Sequence, residues 1–303
     1  MIVPRLSTCA DLVGRHADGS EQWHALRATG IGGSDIAAIL GISPWESAFS
    51  LWHRKAGTVE GKPVSPEMSW GHRHEDTIAR WYRDTHPGVR VARTGTWRNR
   101  QRPWQLANPD RLMARRRVLE IKTDRSAEAW GKPGTDEVPV HYRAQCMWYL
   151  DTLGFTTAHL AVLIGLSDAR EYVVHWNEPE AVLMRDAAES FWDSLQKGDR
   201  PPLDGHDATY RTVRDLNPDL EDVEVEVPYE VAVAYLGGCA AETTAAEQKR
   251  AAAAQLMDVM GSARRATCEG RRIAVRVPGP HGGRPFLRPA STKTKFAQGI
   301  EAA

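Results

Sequence analysis

The chain has 303 residues, of which 42% are hydrophobic, with 11 Trp; this is the make-up of a protein that folds around a sizeable core, and it excludes disordered and fibrous classes. Lys plus Arg and Asp plus Glu both number 39, which argues against a passive DNA coat but leaves room for a basic groove confined to one cleft. Cys9, Cys146, Cys239 and Cys268 form no CxxC pair, so neither a zinc site nor a disulfide framework is expected. Residues 1–13 lack the basic start and apolar run of a leader, and no stretch reaches membrane-spanning length; the expected home is a reducing cytoplasm.

In chain order, an N-terminal extension over residues 1–19 precedes short helices predicted over 34–40, behind the Gly32-Gly33 pair, and 48–55, after the Ser43-Pro44 break. A third helix over 71–85 puts Glu75, Ile78, Ala79 and Tyr82 on one face, aiming an acidic side chain inward beside apolar ones. Strands follow over 89–98, 104–111 and 118–123, with Arg115, Arg116 and Arg117 in the last turn. Then come a helix over 140–151, strands over 156–164 and 170–175, and an amphipathic helix over 179–197. After Pro201-Pro202 the chain turns polar to about Asp219. An Ala-rich helix over 229–261 and a basic hairpin, 271–277 with 284–288, then make a separate C-terminal appendage over 216–303. Arg264, Arg265, Arg271 and Arg272 there suit contact with a partner or displaced DNA, although simple helix packing explains the appendage as well.

Asn108-Pro109-Asp110 ends one predicted strand and Glu120-Ile121-Lys122 lies in the next, so Asp110, Glu120 and Lys122 can meet at one end of a hairpin. Residues two apart in a strand share a face, so Glu120 and Lys122 project together while Ile121 enters the core and offers its carbonyl. Two carboxylates and a backbone oxygen suit Mg²⁺, with Mn²⁺ as a substitute, because these hard ions prefer oxygen ligands. Such an ion lowers the pKa of a bound water and shields charge on a leaving oxygen, which phosphodiester hydrolysis requires. Lys122 would then hold or deprotonate the water. The same tokens also fit a turn cap beside a surface ion pair.

The motifs Trp23-His-Ala-Leu-Arg27, Gly30-Ile-Gly-Gly-Ser-Asp-Ile36, Trp70-Gly-His-Arg-His-Glu75, Asn108-Pro-Asp110, Leu119-Glu-Ile-Lys122 and Gln145 with Tyr149 occur in one order. In that set the chain resembles the YqaJ-like viral recombinases, related to lambda exonuclease, within the PD-(D/E)XK nuclease superfamily. The resemblance covers about residues 20–205. It implies an α/β restriction-endonuclease-like core, with a central mixed sheet flanked by helices, inside a nuclease domain over 20–215. Glu75 becomes a further metal-site acid, joining Asp110, Glu120 and the Ile121 carbonyl. Gln145 and Tyr149, one helical turn apart, either serve the catalytic lysine, a water or the phosphate, or simply pack. The resemblance places Arg27, Gly33 and Ser34 in a pocket for a terminal 5′-phosphate; free helix amides and a guanidinium suit that anion, and a plain capped helix is the other reading. Met68 falls where the phage enzyme carries an apolar wedge, though packing also explains a methionine there. His72 and His74 point apart on a helix and make no metal pair.

The function implied is a Mg²⁺-dependent 5′-to-3′ exonuclease that resects linear double-stranded DNA, leaving a 3′ single strand for a phage single-strand-annealing protein. It would act in the host cytoplasm, with a homo-oligomer, a trimer by resemblance, as its assembly. The alternatives are a structure-specific or single-strand nuclease of the same fold in repair or defence, and a non-catalytic DNA-end binding scaffold. Scattered cysteines count against an iron–sulfur branch of the fold.

Overall fold

The computed structural model describes residues 9–61 and 65–290. Of the N-terminal segment read for a leader, residues 1–8 lie outside the described residues. The chain divides into two compact units between Leu220 and Glu221. No helix among the described residues is long and apolar enough to cross a membrane.

The first unit begins with β1 (Ala10–Gly14), α1 (Glu21–Ala28), α2 (Gly33–Ile39), α3 (Ala48–Ala56) and α4 (Pro66–Thr85). Then come β2 (Val91–Arg93), β3 (Thr96–Asn99), β4 (Leu106–Ala107), β5 (Arg111–Met113) and β6 (Arg117–Asp124). The unit continues through α5 (Val140–Leu153), β7 (Thr157–Ile164), β8 (Asp168–His175), α6 (Glu178–Lys197) and α7 (Asp207–Leu216). A five-stranded sheet in the order β2-β5-β6-β7-β8 forms its centre. Only β6 and β7 run parallel in it, Glu120 standing against Leu160; the other pairs are antiparallel, so the sheet is mixed as expected. A smaller sheet, β1-β3-β4, lies in the same unit.

Helices cover both faces. Ile78, Ala79 and Tyr82 of α4 pack on Leu119 and Ile121 of β6. On the other face α5 buries Ala144, Met147, Trp148 and Leu150 with Val118 and Leu160. Each fully buried side chain of this size contributes roughly 1.5–3 kcal/mol. Alternation along β6 therefore sends Leu119 and Ile121 to the α4 side and leaves Glu120 and Lys122 facing α5.

Two predicted strands are each split by the fold. The 89–98 segment breaks at Thr94-Gly95, because Gly95 runs so close to the smaller sheet that a Cβ would lie 2.1 Å from the Gly14 carbonyl oxygen. The 104–111 segment breaks at Pro109, which has no N–H to give a ladder, so Asp110 stands before β5 rather than ending a strand. α4 starts five residues earlier than its apolar spacing indicated, at Pro66, where Ser65 Oγ caps Met68 N at 3.2 Å. The polar stretch before Asp219 holds α7, whose thin apolar content hid it.

In the second unit α8 (Tyr229–Met260) is followed by a sheet of β9 (Arg265–Cys268), β10 (Arg271–Val277) and β11 (Phe286–Pro289), in the order β11-β10-β9. The expected hairpin thus gains a third strand. Met260, Ala266 and Ala274, with Leu256, Ile273 and Leu287, form its core.

Candidate active site

The Asn108-Pro109-Asp110 loop carries the chain from the smaller sheet into β5. Asn108 Nδ2 donates to Thr96 Oγ1 at 2.5 Å, and Asp110 Oδ2 accepts from the backbone N–H of Ile121 at 2.6 Å. That bond ties Asp110 to the strand bearing Glu120 and Lys122. Glu120 Oε1 accepts from Lys122 Nζ at 2.6 Å and from Gln145 Nε2 at 2.7 Å. Gln145 Nε2 also lies 2.9 Å from the Tyr149 hydroxyl. Lys122 Nζ stands 5.1 Å above the Tyr142 ring. Asp110, Glu120, Lys122, Gln145 and Tyr149 are thus brought together. Met147, two positions after Gln145, belongs to the core.

The charge balance here is short of cations. Burial pushes the Asp110 carboxyl well above the ordinary carboxylate value, with Glu120 and Glu75 adding to it. Burial also raises Glu120, outweighing Lys122. Burial alone would lower Lys122, but the Glu120 and Asp110 carboxylates hold its ammonium above the ordinary lysine value. Glu120 is 1% exposed, and its Oε2 has no hydrogen-bond partner among the described residues. A buried carboxylate oxygen without a donor is costly. A hard divalent cation fits this donor set: the Asp110 and Glu120 carboxylates and the Ile121 carbonyl could hold it, with water completing its shell. Among the described residues, no three His, Cys, Asp or Glu side chains form a ready cation cage.

Glu75 sits on α4 and forms an ion pair with Arg111, which also donates to the Asp110 carbonyl at 2.6 Å and to Asp76 at 2.8 Å. Its carboxylate therefore reaches the cluster through Arg111. Sequence reasoning missed Arg111; its position directly after the Pro-Asp pair was the available signal. His74 stacks on Trp70 at 5.7 Å, and His72 is exposed on α4.

A second charged centre lies at the start of α2. Arg27 donates to Ser34 Oγ at 2.7 Å and to Asp35 Oδ1 at 3.1 Å. Asp35, 1% exposed, is also paired with Arg54 at 3.3 Å and Lys55 at 2.9 Å, and it accepts from Gly32 N at 2.9 Å. Burial would raise its carboxyl, but Lys55, Arg27 and Arg54 outweigh that and hold it far below the ordinary value. Asp35 was read only as part of the segment that opens the helix, and Arg54 and Lys55 went unread, because an Asp at a helix start and basic residues at a helix end are ordinary capping choices. Gly33 binds the two centres together: a Cβ there would lie 2.4 Å from Tyr149 Cε1. Met68 is half exposed on the first turn of α4, where neighbouring Glu67 is ion-paired with Arg125 beyond β6.

The first unit has the fold of a phage-type exonuclease. An alkaline exonuclease (LHK-Exo) from Laribacter hongkongensis superposes with a TM-score of 0.51 and 14% identity, over 66% of this chain and 100% of that one. The same protein in complex with dAMP gives 0.50 and 15%; at this identity the likeness is one of fold. Residues 22–159 match the family model of the YqaJ-like viral recombinase domain, and the resemblance carried by the motifs is borne out. The YqaJ protein of Bacillus subtilis (strain 168) is 34% identical over 214 residues, 66% of this chain and 64% of its own length. The chain thus spans just under two thirds of that relative.

Proposed function

We propose that the protein is a Mg²⁺-dependent exodeoxyribonuclease, with Mn²⁺ able to substitute, housed in residues 20–215. It resects the ends of linear double-stranded DNA 5′ to 3′ and leaves a 3′ single strand for a phage-type single-strand-annealing protein. The observation that carries this reading is the buried Asp110–Glu120 pair, with Glu120 Oε2 lacking a donor among the described residues. The YqaJ-like domain match and the exonuclease fold support it. When bound, the metal ion supplies a lowered water pKa and charge for the leaving oxygen. Lys122 holds its proton beside Glu120 and orients the attacking water. Gln145 fixes the Glu120 carboxylate, while Tyr149 stays neutral, because burial and then Glu120 push its hydroxyl up. Arg27 and Ser34 take the terminal 5′-phosphate, Arg27 giving a charge-assisted grip, and Met68 parts the end base pair. Glu75 steadies the metal-binding edge through Arg111. The protein acts in the host cytoplasm as a homo-oligomer, with a trimer the state to test by light scattering.

The test follows label released from one strand of a linear duplex, 5′-phosphorylated or 5′-hydroxyl, with Mg²⁺ or EDTA, beside a closed circle and Asp110→Asn. Mg²⁺-dependent loss from 5′-phosphorylated ends, absent on the circle and in the variant, is expected. Cutting of the circle would indicate an endonuclease. DNA ends bound without cleavage in Mg²⁺ would indicate a scaffold.

A further inference from the structure

We infer that Trp45, seated against His141 and Tyr142, is the platform on which an unpaired base of the bound strand stacks beside Lys122. The inference rests on the nuclease reading and deepens it by assigning a base-binding subsite. Trp45 remains 54% exposed although its ring meets His141 edge-on at 4.7 Å and Tyr142 at 6.0 Å. His141 and Tyr142 lie 4.2 Å apart, and Tyr142 in turn stacks on buried Trp130 at 5.7 Å. Lys122 Nζ stands over the same Tyr142 ring. A continuous aromatic wall therefore leads from the candidate catalytic lysine to a tryptophan that is half exposed.

The platform is held stiffly. Ser43 Oγ accepts from both Trp45 N and Glu46 N at 3.2 Å. The next side chain, Glu46, is clamped by Arg54 at 3.0 Å through both its oxygens. Arg54 also reaches Asp35 in the cationic cluster around Arg27. One short turn thus stands between positive charge, which suits a phosphate, and aromatic surface, which suits a base. Together these are the two components of a single-strand binding groove. A base accepts such stacking whatever its identity, because every base offers a π-face, which suits an enzyme that must advance through any sequence.

The test uses the full chain and a 5′-phosphorylated duplex carrying 2-aminopurine near the 5′ end, in EDTA, so that stacking is read without cleavage. Parallel kinetics in Mg²⁺ use the same duplex with or without an abasic site at that nucleotide. Wild type should quench the 2-aminopurine, Trp45→Phe should retain the quench, and Trp45→Ala should lose it. Trp45→Ala should raise KM about 10- to 100-fold, the scale of one lost base–aromatic stack, with kcat changing far less. The abasic substrate should reproduce that rise in wild type and show no added loss in Trp45→Ala. Equal quenching by wild type and Trp45→Ala, or an equal KM penalty on abasic and intact DNA, would overturn the platform. A wild type that neither binds nor cleaves the duplex would overturn the nuclease reading itself, and the platform with it.

Discussion

Asp35 and Glu120 are equally buried, at 1% exposure each, yet they sit under opposite charge balances. Around Asp35 three cations, Arg27, Arg54 and Lys55, converge on one carboxylate, and the surplus is positive. Around Glu120 a second carboxylate, Asp110, shares one lysine, and the surplus is negative. Buried ionic groups persist only where the charge is answered. The first centre is therefore suited to receive an anion and the second to receive a cation. Gly33 packs on Tyr149 between them, and the proposed function gives the first centre a phosphate and the second a metal ion.

The largest expected effect separates the two centres by chemistry. Asp110→Asn or Glu120→Gln should lower the turnover of a linear duplex on the order of 1,000-fold, the scale for loss of a principal electrostatic group. Asp35→Asn should act on the fold instead: it removes the carboxylate that Arg27 and Lys55 share, leaving Arg54 with Glu46, and breaking a buried pair costs about 3–5 kcal/mol, read by urea unfolding. Arg27→Ala should erase about 10- to 100-fold of the preference for 5′-phosphorylated over 5′-hydroxyl ends, as loss of a charge-assisted bond implies. An equal fall on both ends would show that Arg27 only braces Asp35.

The pH dependence of stability should run in opposite directions at the two centres. The folded carboxyl of Asp35 lies below its ordinary value of 3.8, so its contribution is present above that pH and fades as pH falls. The folded carboxyl of Asp110 lies above 3.8, so in EDTA its contribution is present at low pH and is lost as pH rises through the folded value. Stability curves in EDTA should therefore show Asp110→Asn gaining on wild type as pH rises from 3.8, and added Mg²⁺ should close that gap. Parallel curves for the two proteins would break the comparison. The smallest effect is that of Gly33→Ala, where the added methyl collides with Tyr149; overpacking of this kind costs about 1–3 kcal/mol, and activity should fall together with end preference.

How much of this was legible in the sequence differs between the centres. Glu120 and Lys122 follow from the period of a strand and Gln145 beside Tyr149 from a helical turn, whereas joining the two pairs in one site rested on the family resemblance. Local alternation showed most of the strands, while their mixed order in one central sheet came from the resemblance. Asp110 was placed beside them correctly, although Pro109 splits the strand it was expected to end. The Asp35 centre joins residues from α1, α2 and α3, and no local period links those; only the packed structure shows that Arg54 and Lys55 answer the same carboxylate as Arg27. The split of 89–98 into β2 and β3 was likewise set by a neighbour, the carbonyl of Gly14, which local propensity does not register. Trp45 drew no reading from the sequence, because only the fold sets His141 and Tyr142 against it.

The central claim, that the Asp110–Glu120 centre is made for a divalent cation, is tested most directly by calorimetric titration of Mn²⁺ into wild type, Glu120→Gln and Arg27→Ala. Binding is expected in wild type and Arg27→Ala, and none in Glu120→Gln. No binding in wild type, or binding undiminished by Glu120→Gln, would contradict it.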